Sequence, residues 1–191
     1  MRFAAVVLHF SSLALAALGA CTPIASDPAA LTAAANAKLP PYKGDLADRF
    51  DDAIEPHAVG LALDNYAVPK GDSQLRARAQ AADVVVRGRI TTVTGQVESG
   101  NHMYQVSFHV LERLAGKHPV GDDFTVRFDA TSPSLGIVKA MEGQLVGKTL
   151  VMFVKKFLRP DGDTDLHFHA MADEPDVIAA IKEAVILDEV K

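Results

Sequence analysis

Five segments between residues 83 and 171 have the residue patterns of β-strands, and they limit this chain to a β-rich domain. These segments are residues 83–94, 103–111, 124–128, 150–157 and 166–171. The first is rich in β-branched side chains, and the second and third alternate between apolar and polar residues. The fourth is almost continuously apolar, which predicts a strand covered on both faces. Gly88, inside the first strand, predicts a bulge or bend.

Helical patterns flank these strands. Asp173 is the predicted cap of a C-terminal helix with acidic residues in its first turn. A shorter helix is predicted to begin at Asp72 or Ser73 and to end near Gln80. Residues 130–144 carry no clear period, so we predict an irregular connection there.

The segment before the domain, residues 45–66, carries apolar residues that need a surface to cover. Leu46, Phe50 and Ile54 recur every fourth residue, which is the spacing of one helical face. After Pro56, the alternation of Val59 with the next apolar residues, Leu61 and Leu63, predicts an extended stretch. We therefore expect this segment to wrap onto the main domain, followed by a loop at residues 68–73.

The N-terminus has the pattern of an export signal. A basic residue, Arg2, precedes an apolar run over residues 3–18 that three polar residues interrupt. A membrane-spanning helix needs about 20 apolar residues, so this run is typical of a signal peptide instead.

The run ends in Leu18-Gly19-Ala20-Cys21, which resembles the lipobox of bacterial lipoproteins. The resemblance implies cleavage before Cys21, a thioether link from its sulfur to diacylglycerol, and acylation of the new amino terminus, with palmitate as the type of acyl group. Two acyl chains are enough for stable membrane attachment. The alternatives are ordinary export with cleavage after Gly19, or a cysteine buried in a short helix. Thr22 replaces the aspartate of inner-membrane-retained lipoproteins, which favours the outer membrane.

The predicted organisation has three parts: a signal peptide over residues 1–20, a lipidated tether and wrapping segment over 21–72, and a β-rich globular domain over 73–191. The expected fold is mainly β, a small five-stranded antiparallel open barrel with a C-terminal helix. A β-sandwich is the alternative. Because Cys21 is the only cysteine, no intrachain disulfide or cysteine-based zinc site is possible.

Residues 81–157 resemble the OB-like fold of netrin and metalloprotease-inhibitor modules. The resemblance depends on the strand order and on the Leu-x-Gly-Lys turn at residues 145–148. Those modules carry a cysteine cluster at their N-terminus that this domain lacks, so protease inhibition is not expected.

The candidate site residues are His167 and His169. At positions i and i+2 of a strand they share one face, with side chains about 7 Å apart, so they could bind one metal ion if a third ligand such as His109 or Asp129 came close. The alternatives are an exposed position on an edge strand, hydrogen bonds to the adjoining helix, or packing of the rings against neighbouring side chains.

Other patterns are weaker. Residues 161–165, DGDTD, begin like a calcium loop, but Leu166 and Ala172 stand where such a loop needs Gly and Glu, so a solvated hairpin turn is favoured. Lys155, Lys156 and Arg159 form a basic group that could meet anionic lipid or lie solvated at a strand end. No motif for a nucleophile, phosphate loop or dinucleotide site is present, and no cofactor is expected.

Charge excludes one class of partner. With 24 acidic and 19 basic residues the net charge is −5, which gives no electrostatic reason to bind nucleic acid. The sequence therefore predicts a membrane-anchored, non-catalytic binding module with an unknown protein, peptide, glycan or lipid partner. A periplasmic metal-binding protein and a structural envelope protein are the alternatives.

Overall fold

A computed structural model describes residues 36, 38–61, 72–98, 100–116 and 120–189, with the backbone alone at 98, 188 and 189. These residues form one six-stranded mixed sheet, curled strongly into a half-barrel. Its strands are β1 (Ala53–Ile54), β2 (Val84–Glu98), β3 (Asn101–Gly116), β4 (Asp123–Phe128), β5 (Thr149–Leu158) and β6 (Thr164–Ala172). The order across the sheet is β1-β6-β5-β2-β3-β4.

All five predicted strands are present as β2 to β6, and every pairing among these five is antiparallel. The fold prediction is confirmed in part: the curled, open sheet and the C-terminal helix are present, but the class is mixed α/β, because β1 adds a sixth strand parallel to β6 and several helices accompany the sheet. The alternative of a β-sandwich is wrong, since the described strands belong to a single sheet.

The helices whose bounds lie within the described residues are α1 (Asp45–Arg49), the 3₁₀ helix (Pro56–Val59), α2 (Ser73–Ala81), α3 (Leu135–Leu145) and α4 (Pro175–Glu189). The cap predicted for α2 is confirmed, because the Asp72 side chain accepts a hydrogen bond of 2.8 Å from the Gln74 N–H. The C-terminal helix is confirmed too. Asp173 does not cap it, however; its carboxylate binds the Arg87 guanidinium at 2.7 and 2.8 Å.

The prediction of an irregular connection over residues 130–144 is wrong, because α3 occupies most of it. Gly136 and Gly143 within this helix, together with its β-branched residues, lower the helix propensity that the sequence displays. The helix is stabilised by packing instead: Val138, Met141 and Leu145, at positions i, i+3 and i+7, are buried against the inner face of the sheet.

The topology of β2 to β5 is a Greek key. β2, β3 and β4 follow one another as antiparallel neighbours, and β5 returns through a long connection containing α3 to lie beside β2. This is the spatial order 4-1-2-3 of that motif. The bend predicted at Gly88 is confirmed by a register shift between Arg87 and Gly88.

The sheet separates two apolar cores. The inner core fills the concave face under α3, and the outer core lies under α2 and α4. Along β5, Leu150, Met152 and Val154 are buried in the inner core, whereas Val151, Phe153 and Phe157 are buried in the outer one. The prediction that this strand is covered on both faces is confirmed.

Residues 41–59 contribute to both cores. The predicted helical face ends early, since α1 stops at Arg49 and Ile54 lies in β1. Phe50 is consequently buried in the outer core, whereas Ile54 reaches the inner one. The extended stretch expected at Val59 is wrong, because that residue ends the 3₁₀ helix; residues 62–71 lie outside the described part.

No helix among the described residues is long and apolar enough to cross a bilayer.

Candidate functional site

His167 and His169 lie on the outer face of β6, because the residue between them, Phe168, belongs to the inner core. The prediction that they share one face is confirmed. Both side chains contact the segment that contains α1 and β1. The Nδ1 atom of each histidine is hydrogen-bonded to a carboxylate of that segment.

His167 lies between an aromatic ring and a carboxylate. Its Nδ1 is 2.7 Å from Asp52 Oδ2, and the Tyr42 ring stacks on it with 3.5 Å between ring centroids and 4° between planes. The Phe157 ring meets it edge-on at 5.4 Å. Asp52 also accepts a 3.1 Å hydrogen bond from the Phe168 N–H, so it links the wrapping segment to β6 twice.

His169 is the more deeply buried of the pair, at 7% exposure. Its Nδ1 is 2.8 Å from Asp51 Oδ1, and its Nε2 is 3.4 Å from Glu55 Oε1. The two carboxylates flank the imidazole from opposite edges, which favours the doubly protonated cation as a donor to both.

Burial and hydrogen bonding have opposite effects on the pKa values of His169, Asp51 and Asp52. Burial acts to lower the pKa of His169, but its hydrogen bonds to Asp51 and Glu55 outweigh burial and raise it. Burial acts to raise the pKa of Asp51, but the His169 imidazole outweighs burial and lowers it. At Asp52 burial prevails over the bond to His167 and raises the pKa. Burial, followed by the nearby carboxylates, raises the pKa of Tyr42 to about 12.

A buried arginine completes this group of side chains. Arg78 Nε donates a 2.8 Å hydrogen bond to the Arg49 carbonyl, and its guanidinium lies 5.9 Å from the centroid of the Phe153 ring. Burial lowers its pKa, and the charges of Asp51 and Glu55 oppose that shift. We call this set the His–carboxylate cluster; it comprises Tyr42, Asp51, Asp52, Glu55, Arg78, His167 and His169.

The two proposed third metal ligands have other contacts. His109, on β3, has its Nδ1 2.9 Å from Asp123 Oδ1 on exposed surface. Asp129 accepts hydrogen bonds of 2.9 and 2.6 Å from the N–H and hydroxyl of Thr131. Within the described residues, no group of three or more His, Cys, Asp or Glu side chains is arranged to hold a metal ion. Metal binding by His167 and His169 stays a prediction.

A polar groove of about 430 Å³ adjoins the cluster, between β4 and β6. Asp52 and His167 belong both to the His–carboxylate cluster and to the lining of this groove. Its lining residues are Asp52, Thr125, Val126, Arg127, Asp129, Thr131, Ser132, Lys156, Thr164, Asp165, Leu166 and His167. A second cavity of about 280 Å³, reaching Asn101 and His102, shares Arg127, Asp129 and Thr131 with it. We call the larger cavity the β4–β6 groove.

The groove lies where the half-barrel is open. β4 is the last strand at one end of the sheet. Toward the other end, the strand that pairs with β6 in the described part of the chain is β1, whose two residues lie opposite His169 and Ala170. The antiparallel pairings from β6 through β5, β2 and β3 to β4 make β4 and β6 run in the same direction. The groove is therefore bordered by the edges of two strands that run in the same direction.

The basic residues noted in the sequence do not form one patch. Lys155 Nζ donates to the Ala81 carbonyl at 2.7 Å and to Asp83 at 3.1 Å. Arg159 pairs with Asp161 at 2.9 Å in the turn between β5 and β6. Lys156 is exposed and lines the groove.

The hairpin turn predicted around residues 161–165 is present between β5 and β6, and Thr164 and Asp165 already belong to β6. Gly162 adopts a φ of +88° there, and Asp161 accepts a 3.1 Å hydrogen bond from the Asp163 N–H. The predicted lipidation site, Cys21, lies outside the described residues.

Sequence reasoning missed the carboxylates of the cluster and one buried serine. Asp51 and Asp52 are separated from their histidines by 118 and 115 positions, so no local pattern signals the contacts. Ser134 is 2% exposed; its Oγ accepts from the Ile54 N–H at 2.7 Å and donates to the Ile54 carbonyl at 3.3 Å. This serine therefore joins the start of α3 to β1.

No protein-family model matches the chain, and no curated protein sequence is significantly similar to it.

Proposed function

We propose that this chain is a lipid-anchored, non-catalytic binding module of the bacterial cell envelope, and that the β4–β6 groove contacts its partner. The lipobox that ends at Cys21 supports the anchor, because diacylation there makes a lone cysteine a stable membrane attachment. Thr22 favours the outer membrane by resemblance to sorted lipoproteins.

We also propose that β2 to β6 form an OB-like module. Three features support this assignment: the Greek-key order, the helix α3 between the third and fourth of these strands, and the incomplete closure between β4 and β6. The OB-fold is a five-stranded, partly open Greek-key barrel. The likeness concerns fold alone, so the binding role is argued from the groove.

The observation that carries the binding role is the polar groove between β4 and β6. Its walls are formed by the polar residues Thr125 and Thr164, by residues of both charges such as Lys156 and Asp165, and by strand backbone. Such a lining suits a polar macromolecular partner better than an acyl chain, because each buried polar group needs a hydrogen-bonding partner. We therefore propose an envelope protein as the partner.

Photo-crosslinking in the native host tests this function. A photoreactive lysine analogue replaces Lys156 in the groove or, as the matched control, the exposed Lys182 on α4. We expect one discrete adduct from position 156 and none from position 182. The same adduct should be lost in Cys21→Ser, which removes the lipid-attachment site.

Absence of any adduct at position 156 would leave a structural envelope protein as the better interpretation. Mass spectrometry of the mature N-terminus checks the anchor separately, and an unmodified thiol at Cys21 would contradict it.

A further inference from the structure

We propose that the β4–β6 groove binds an extended peptide segment as an added β-strand, hydrogen-bonded to the edges of both β4 and β6. This inference rests on the proposed binding function and specifies its chemistry. It is carried by the backbone geometry of the two edges.

The edge of β6 already accepts one added strand. The Phe168 carbonyl accepts from the Asp52 N–H, and the Ala170 carbonyl accepts from the Glu55 N–H, both at 2.9 Å. Backbone groups of alternate strand residues point to the same edge, so those of Thr164 and Leu166 face the side on which β1 lies.

β1 does not extend to these two residues, because its pairing stops at His169. Asp165 Oδ1 accepts a 3.0 Å hydrogen bond from the Leu166 N–H. Within the described residues, the Leu166 carbonyl and both backbone groups of Thr164 have no backbone partner on that edge. Both residues line the groove.

The same alternation shows which backbone groups lie on the free edge of β4. The Val110 N–H donates to the Asp122 carbonyl at 2.7 Å, and the register then directs the backbone groups of Phe124 and Val126 toward β3. Those of Thr125 consequently point away from β3, toward the groove that Thr125 lines. Among the described residues they have no backbone partner.

An extended polypeptide matches this arrangement. It presents N–H and C=O groups to both sides with a rise of about 3.3 Å per residue, and addition of such a strand to a sheet edge is an established mode of peptide recognition. Because β4 and β6 run in the same direction, one inserted strand has the same orientation relative to both. A glycan carries hydroxyl groups that repeat with its sugar units, not alternating N–H and C=O groups at the spacing of a strand. Lys156 and Asp165 beside the groove favour a polar peptide with charges of both signs.

The test uses the full-length lipidated protein in nanodiscs and peptides selected from a phage-displayed library of random decapeptides. Thr125→Pro removes the N–H that faces the groove but no ladder bond to β3, a position where an edge strand tolerates proline. Thr125→Ala is the matched control, because it keeps that N–H. We expect Thr125→Pro to bind the peptide about fivefold or more weakly than Thr125→Ala does, the effect of one lost hydrogen bond, because both variants lack the Thr125 hydroxyl and differ in that N–H.

A second measurement does not depend on the variant folding. A selected peptide that is N-methylated at alternate residues loses the donors of one edge, and we expect it to bind the wild-type protein at least about fivefold more weakly. Equal binding of methylated and unmethylated peptides would overturn the proposal, as would recovery of no binding peptide. Amide exchange at Thr125 and Thr164 as slow as at Val126 in the free protein would also overturn it, because β4 and β6 would then pair directly. A surviving adduct at Lys156 would still support the binding function in each case.

Discussion

Replacement of His169 by glutamine should remove a pH-dependent part of the stability. His169 is 7% exposed and bonded to Asp51 and Glu55, with the Arg78 charge acting against its protonation. Hydrogen bonds to charged groups contribute about 1.5–3 kcal/mol, so we expect His169→Gln to lower the free energy of unfolding by about that amount near pH 5.5.

The direction of the pH dependence follows from the two pKa shifts. The fold raises the pKa of His169, so its contribution is complete below the ordinary value of 6.5 and is lost as pH rises through the folded-state pKa. The fold lowers the pKa of Asp51, so its contribution is present above 3.8 and is lost as pH falls through the folded-state pKa. The difference between wild type and His169→Gln should therefore be largest between these limits and should shrink toward pH 9.

Urea unfolding at pH steps from 4 to 9 measures this difference. The matched control is His109→Gln, whose pair with Asp123 is exposed and should contribute little at any pH. A difference that stays constant from pH 5.5 to 9, or a wild type that gains stability relative to the variant over that range, would refute the role assigned to the charged imidazole.

Three further results are expected. Ser134→Ala should destabilise the protein by about 1–3 kcal/mol in urea unfolding, because it leaves the buried N–H of Ile54 without an acceptor. Gly116→Ala should cost at least about 2 kcal/mol by the same measurement, since Gly116 has a φ of +93° and an added Cβ would overlap the backbone at the start of β2. In equilibrium dialysis against zinc, copper and nickel, the metal hypothesis requires binding that is tighter than micromolar and lost in both His167→Ala and His169→Ala; equal uptake by wild type and variants would contradict it.

The strands were predictable because their signal is local. Alternation of apolar and polar residues along β3 and β4 indicates one buried and one exposed face. The continuous apolar run of β5 indicates that both of its faces are buried. Helix α3 was missed because its two glycines obscure a stripe of three buried residues. The helix is stabilised by packing of that stripe against the concave face of the sheet, which the local sequence does not show.

β1 and the His–carboxylate cluster were missed for a different reason. Ala53 and Ile54 form a strand only because Asp52 and Glu55 on either side bind the backbone of β6. The shared face of His167 and His169 follows from the two-residue period of a strand. Their carboxylate partners depend on how a segment more than 100 residues earlier crosses the sheet, which no local pattern encodes.

The way in which the chain enters the domain determines how a mechanical load would reach it. From Pro40 onward, the contacts of this segment follow one another along the chain: the Pro40 carbonyl with the Leu158 N–H, the Tyr42 ring on His167, and then Asp51 with His169. Tension applied at residue 38 would therefore load them one after another. The first to yield would be the contact at the end of β5, while Ile54 would remain in the inner core until the later ones had broken.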